Sequence, residues 1–265
     1  MRLKGLSDEE CFKLFSDGNG NPLNMVLVGY RGSIAHGTYI PSTDPNSIDD
    51  KDLMGIYAGK KKHYIGFGGK EVYERKINEW DAVLYELRKF IGLLLKSNPN
   101  VLMLLWLPEK YYLYKSLYGQ MLIDNRSIFV SKHAYHAFSG YAYGQLHRMT
   151  NFKYEGYMGE KRKSLVDKYG FDCKNGSHLI RLLRMGIEFL TEGELFVERE
   201  DASQLISIKK GEWTLEQVKK EAEKLFTLAH EAYIRSKLPD KPNHKKAEEL
   251  LMTMIESEWV VCENI

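Results

Sequence analysis

Only three cysteines, Cys11, Cys173 and Cys262, occur in 265 residues, and no two stand at a metal-binding spacing. That excludes a zinc ribbon, and the odd count argues against a disulfide framework, so a reducing, cytoplasmic setting is expected. Long apolar runs are also missing. The longest, around Ile91 to Leu95 and Val101 to Leu107, fall short of the roughly 20 residues needed to span a bilayer, and no membrane partner is expected. The opening Met1-Arg2-Leu3-Lys4, followed by polar residues, does not read as a secretory leader. The net charge is only +2, so the chain is no general polycation and any basic surface must be local. Internal repeats and low-complexity linkers are absent too. What remains is an ordinary globular composition, 43% apolar and 28% charged, in a chain long enough for one large domain or two small ones.

The pattern changes character along the chain. Residues 7–16 read as a short capped helix and 17–22 as a turn. Met25 to Gly29 is a buried strand, Ser33 to His36 opens a short helix, and 39–48 is a loop. Asp50 to Tyr57 alternates as a second strand. Lys60-Lys61-Lys62 and Gly66 to Gly69 form a hairpin-like excursion, and Asp81 to Tyr85 a further strand that runs into a helix over 86–96. Asn98-Pro99-Asn100 stops that helix, and another leads toward Trp106. Beyond Pro108 helices dominate: one capped by Ser131 through Met149, one capped by Asp172 through Thr191 with Gly193 past its end, one over 215–237 behind a Thr214/Gln217 capping box, and a last near 244–257. The expected fold is α+β, with a small mixed sheet over residues 1–108 and a mainly helical region over 109–265.

The chemistry concentrates in the first part. Gly32-Ser33 leaves a strand, and sixteen residues later comes Asp50-Lys51-Asp52. Gly32 lets the backbone approach a phosphate, and Ser33 offers an N–H and a hydroxyl. Asp50 and Asp52 share strand parity, point the same way and can share a magnesium or manganese ion. Asp49 makes the pairing ambiguous, but Asp50 and Asp52 sit nearest the apolar segment. Acidic pairs in loops are usually just solvated; the strand that follows and the Gly-Ser turn before it favour a metal. Asp81, at the start of a neighbouring strand, offers a third carboxylate, the alternative being a helix N-cap; Glu79 and Glu86 are the other acids at hand. A phosphate cradle beside a carboxylate clamp is the minimum equipment for moving a nucleotidyl group.

These residues resemble a family. Val28-Gly29-Tyr30-Arg31-Gly32-Ser33-Ile34-Ala35-His36-Gly37-Thr38, followed by Asp50-Lys51-Asp52-Leu53-Met54-Gly55-Ile56, is similar to the DNA polymerase β superfamily of nucleotidyltransferases. Tyr85 to Phe90, Asn98-Pro99-Asn100, His178 to Gly186 and Leu238 to Pro242 are similar to its RNA-ligase-associated polymerase-β-like branch. The resemblance implies metal-dependent transfer of a nucleoside monophosphate from an NTP, ATP among the candidates, with the aspartates as metal ligands, in an RNA-repair setting. Two departures stand out. The gap between Gly-Ser and Asp-x-Asp is long, and Met103 stands where many relatives carry an acid.

The second part supplies cations. On the helix from Asp172, Lys174, His178 and Arg181 share one face with Arg184 at its edge, while Leu179, Leu183, Ile187 and Leu190 form the other. Glu188 is the sole acid between Lys174 and Thr191. A cationic stripe is usually solvated, but arginines grip phosphate bidentately, and Lys161-Arg162-Lys163 adds charge upstream. Tyr135, Phe138, Tyr141 and Tyr143 at helical spacing read as core; Tyr154 and Tyr157, beside Lys153, are better candidates for base stacking. The expected function is NMP transfer to an acceptor hydroxyl, an RNA (tRNA) 3′ end foremost, with release of pyrophosphate. AMP transfer to a protein or small molecule, and a nucleotide- or RNA-binding module with a decayed site, are the alternatives.

Overall fold

The structure, a computed structural model, describes residues 3–150 and 159–263. Lys153, Tyr154 and Tyr157 lie outside the described residues. Strands β1 (Asn24–Tyr30), β2 (Lys51–Ala58), β3 (Val72–Ile77), β4 (Trp80–Glu86) and β5 (Tyr112–Lys115) form one mixed sheet in the order β3-β4-β2-β1-β5. β2 runs antiparallel to β1 and parallel to β4, and both edge strands pair antiparallel.

The helices are α1 (Asp8–Leu14), α2 (Gly32–Ala35), α3 (Lys61–Ile65), α4 (Leu87–Leu94), α5 (Pro99–Leu102), α6 (Leu117–Asp124), α7 (Ala134–Thr150), α8 (Glu160–Tyr169), α9 (Cys173–Glu192), α10 (Ala202–Lys209), α11 (Leu215–Arg235) and α12 (His244–Glu263). The fold is thus α+β, a mixed sheet followed by a helical region.

Alternation along the central strands sorts side chains to two faces. Leu53, Tyr57, Ala82 and Leu84 pack with Cys11 and Leu14 of α1. Met54 and Ile56 join the larger core with Phe90 of α4, Leu183 and Phe189 of α9, Leu225 of α11 and Leu250 of α12. That core is continuous from the sheet into the helices, and each fully buried leucine or phenylalanine in it is worth about 1.5–3 kcal/mol. At the junction, Trp106 donates its indole N–H to Glu194 at 2.8 Å and packs edge-on against Phe189.

Local chemistry explains the helix boundaries. Ser7 and Glu10 form a reciprocal capping box at α1, as do Thr214 and Gln217 at α11. Asp172 accepts from the Asn175 N–H to open α9, and Gly193 closes it at φ 72°, a left-handed turn that glycine adopts without strain. Three expectations change. Strands β3 and β5 go unread because both are edges: β3 reads Val-Tyr-Glu-Arg-Lys-Ile, with charges that keep an open edge from pairing with other chains. The excursion at 60–69 folds as α3 before the chain enters β3, and α8 and α10 are further helices. Ser131 does not cap α7 with its side chain; only its carbonyl accepts from Ala134, and its hydroxyl is buried without a partner.

Candidate functional site

The site begins where β1 ends. Arg31 donates its backbone N–H to the Asp52 carbonyl at 2.9 Å, which continues the β1–β2 pairing by one residue. The chain then turns at Gly32, φ 61°, into α2. A Cβ built on Gly32 would overlap the Asp52 carboxylate oxygen Oδ2, so glycine is required here by backbone conformation and by close approach alike. Gly32→Ala is therefore expected to push Asp52 aside and destabilise the fold by about 1–3 kcal/mol, read as a lower melting temperature together with lost activity.

Parallel pairing of β2 with β4 puts Asp52 directly opposite Asp81. Register neighbours on parallel strands point to the same face about 4.8 Å apart, so the two carboxylates share one end of the helix-covered side. Arg31 reaches both: its Nη2 lies 3.5 Å from Asp52 Oδ1 and 3.8 Å from Asp81 Oδ1. Burial raises the Asp52 pKa above the ordinary carboxylate value, opposed by Arg31 and Lys174 and reinforced by Asp81 and Asp50. Asp81 lies within β4, and the side-chain cap of α4 is Glu86, which accepts from the N–H groups of Arg88 and Lys89.

The consecutive acids Asp49 and Asp50 part company. Asp50 is half exposed, with Lys76 Nζ 3.4 Å from its Oδ1. Asp49 is buried, 2.5 Å from Lys209 Nζ and 3.5 Å from Lys174 Nζ, and accepts from the Ile40 N–H. It anchors the loop to the helices rather than facing the cleft.

Across from the carboxylates, a cleft of about 230 Å³ lies between the Gly32-Ser33 turn and the helices α7 and α9. The turn side contributes Arg31, Gly32, Ser33 and Asp52; the helices contribute Gln145, Arg148, Ser177, His178 and Arg181. The Ser33 hydroxyl is buried with no hydrogen-bond partner. Among the described residues Arg181 hydrogen-bonds to the Met185 sulfur, 3.2 Å from Nη1. Burial, reinforced by Arg199, pulls the Arg181 pKa down to about 10. Asp201 offsets part of this, but a part-buried guanidinium with no bonded carboxylate is costly unless an anion joins it. Arg148 makes no ion pair among the described residues. Burial, with Arg181 next, holds both His36 and His178 well below the usual histidine pKa, hence neutral. The His36 ring donates from Nδ1 to the Val197 carbonyl at 2.8 Å.

Of the cations expected at phosphate, Arg181 and the neutral His178 line the cleft. Lys174 instead donates to the Ile48 carbonyl and faces Asp49. Arg184 binds Asp201, Gln204 and Glu221 at 2.7, 2.6 and 2.9 Å. Arg162 grips Asp172 at 2.7 and 3.1 Å. Lys161 is exposed on α8. The partners come from other elements, which the count of acids within α9 alone left out. Arg31, Gln145 and Arg148 are cleft residues that went unread. Arg31 carried a signal in its place beside Gly32, whereas Arg148 in the last turn of α7 resembles an ordinary helix-end cation. Tyr141 joins the cleft wall, while Phe138 is core as expected. Met103 does line the cleft, as an apolar surface.

Among the described residues no three histidine, cysteine, aspartate or glutamate side chains converge on a metal-sized position. The Asp52–Asp81 pair nonetheless suits a divalent cation: two hard oxygen donors in register, their repulsion now offset at close range by Arg31. Magnesium takes one or two carboxylates and completes its shell with water and phosphate oxygens. No helix among the described residues is long and apolar enough to cross a membrane.

A family model described as "RNA repair pathway DNA polymerase beta family" matches residues 18–253. Among solved structures, the chain is similar to a nucleotidyltransferase-like protein from Exiguobacterium sibiricum 255-15. The identity is 11%, over 87% of this chain and 69% of that one, with a TM-score of 0.28. No curated protein matches.

Proposed function

Because the chain belongs to the RNA repair pathway DNA polymerase beta family, and so is a nucleotidyltransferase, we propose that it moves a nucleoside monophosphate from an NTP to the 3′ hydroxyl of an RNA, a tRNA foremost, and releases pyrophosphate. One observation carries this reading. Asp52, in register with Asp81 and beside the Gly32-Ser33 turn, shares one cleft with Arg181, whose guanidinium bonds no carboxylate among the described residues.

The Gly32-Ser33 turn receives phosphate oxygens through the Ser33 N–H and the unpartnered Ser33 hydroxyl. Arg181 and Arg148 neutralise the triphosphate from the helical side. The 3′ oxygen attacks the α-phosphorus, the bond to the bridging oxygen of pyrophosphate breaks, and Asp81 takes the hydroxyl proton. Asp52 and Asp81 would hold magnesium or manganese, joined by Asp50 once it leaves Lys76; the ion would supply positive charge to the transferring phosphate. Position and charge, rather than covalent chemistry, supply most of the rate enhancement. Lys161, Arg162, Lys174 and Arg184 support the cleft from outside its lining, Lys174 and Arg162 by fixing Asp49 and Asp172.

The test is each of the four α-labelled NTPs with pooled tRNA, protein and small hydroxylated acceptors plus magnesium. RNA labelled by wild type supports the proposal; label only on protein or small molecules overturns the RNA acceptor. Arg181→Ala is expected to raise the KM for NTP by about 10- to 100-fold, the equivalent of a lost charge-assisted hydrogen bond. Steady-state kinetics against NTP concentration checks it.

A further inference from the structure

Arg31 is held unlike the structural arginines of this protein. Arg199 places Nη1 and Nη2 2.5 and 2.7 Å from the Glu188 oxygens and Nε 2.8 Å from Asp201. Arg162 makes a two-nitrogen grip on Asp172. Arg31 instead offers a single nitrogen to two carboxylates, at 3.5 and 3.8 Å. Both separations exceed a charge-assisted hydrogen bond of about 2.7–2.9 Å. Its Nε is buried with no acceptor at all. One long hydrogen bond to Asp52 Oδ1 at 3.5 Å, together with charge, keeps the guanidinium between Asp52 and Asp81, and an unsatisfied donor works against the arrangement.

The same side chain lines the cleft two residues before the unpartnered Ser33 hydroxyl. A phosphate seated at Ser33 would give the fork the acceptors it lacks. We propose that Arg31 is the resident counter-ion of the Asp52–Asp81 pair: a divalent cation must displace it to bind, and a nucleotide phosphate draws it away. Cation and nucleotide then bind cooperatively through one positioning residue, each tightening the other by the same factor. An enzyme built this way carries little divalent cation until a nucleotide arrives. The inference rests on the carboxylate pair being the metal position in the proposed function.

The experiment is Mn2+ titration followed by the EPR signal of the free ion. It is run alone and with saturating α,β-methylene-ATP, with Asp52→Asn measured alongside to subtract Mn2+ held by the nucleotide itself. Without nucleotide, Arg31→Ala should bind Mn2+ on the order of tenfold tighter than wild type, and nucleotide should tighten wild type by a similar factor but the variant hardly at all. Arg31→Lys, which restores the charge, should return binding to the weak wild-type value. Arg31→Gln gives the same comparison as alanine should the alanine variant not fold by circular dichroism. The proposal is overturned if a folded Arg31 variant binds Mn2+ no tighter than wild type, or if nucleotide tightens both equally. If neither wild type nor variant exceeds Asp52→Asn even with nucleotide, the carboxylate-pair reading itself falls, and this inference with it.

Discussion

Asp52→Asn should abolish most transfer while leaving the protein at least as stable as wild type. Product formation is expected to fall by roughly 10²–10³-fold, the usual cost of removing one preorganised electrostatic contact from a transition state. Stability should move the other way. The Asp52 carboxyl sits with its pKa raised by burial and by the Asp81 and Asp50 charges. A carboxylate whose pKa is higher folded than unfolded is ionised at neutral pH against the preference of the folded state, so the charge works against folding there. Asparagine keeps the shape and removes that charge, a change the fold is expected to tolerate at a position proposed to hold an acid for function. Labelled-RNA assays and thermal melts on one preparation decide it. Product above a tenth of wild type, or a melting temperature several degrees lower, would show that Asp52 serves the fold instead.

Lys209→Met is expected to be the most destabilising single substitution at the site's periphery. Lys209 lies almost wholly inside, its side chain 3% exposed against 1% for Asp49. Its ammonium donates to the Thr38 carbonyl at 2.8 Å and to Asp49 at 2.5 Å. Burial lowers the Lys209 pKa, and Asp49 opposes that shift. Removing one partner leaves the other charge buried and uncompensated, at a cost of about 3–5 kcal/mol. Lys174, 3.5 Å from Asp49, compensates part of it, which favours the lower end. In a chain of this size each kcal/mol lowers the melting temperature by roughly 2–4 °C, so a drop of about 6–12 °C is expected. The double variant Asp49→Asn/Lys209→Met should recover part of that loss, since no lone charge remains. A Lys209→Met melt within 2 °C of wild type, roughly 1 kcal/mol or less, would mean that the pair is not buried in solution.

Much of this was legible in the chain itself. Central strands declare themselves through apolar alternation, so β1, β2 and β4 were readable, but strand parity grouped Asp52 with Asp50, whereas the register sets Asp52 opposite Asp81 and Asp50 lies beside Lys76. Edge strands β3 and β5 were not, because an edge needs only part of that pattern and often carries charge. The division of labour between Asp49 and Asp50 was illegible for another reason: the residue that claims Asp49, Lys209, is 160 positions away. Arg184 and Arg162 are claimed from nearer in the chain, yet from outside their own helices, by Asp201 and Glu221 and by Asp172. A cation's availability is a property of everything packed around it, and helix periodicity reports only its own helix. Arg181 kept its place at the cleft because, among the described residues, no acid is close enough to bond it and its hydrogen-bond partner is the Met185 sulfur.

The two walls of the cleft also have an order of birth. During synthesis the whole sheet, β5 included, with Asp52 and Asp81, is made before α9. Until then the acids have Arg31 as their near counter-charge and no opposing guanidinium from Arg181. A nascent or prematurely terminated chain that stops before α9 therefore lacks the cleft wall that carries Ser177, His178 and Arg181. The ion pair of Lys209 with Asp49, which spans 160 positions, can form only once α10 has been made.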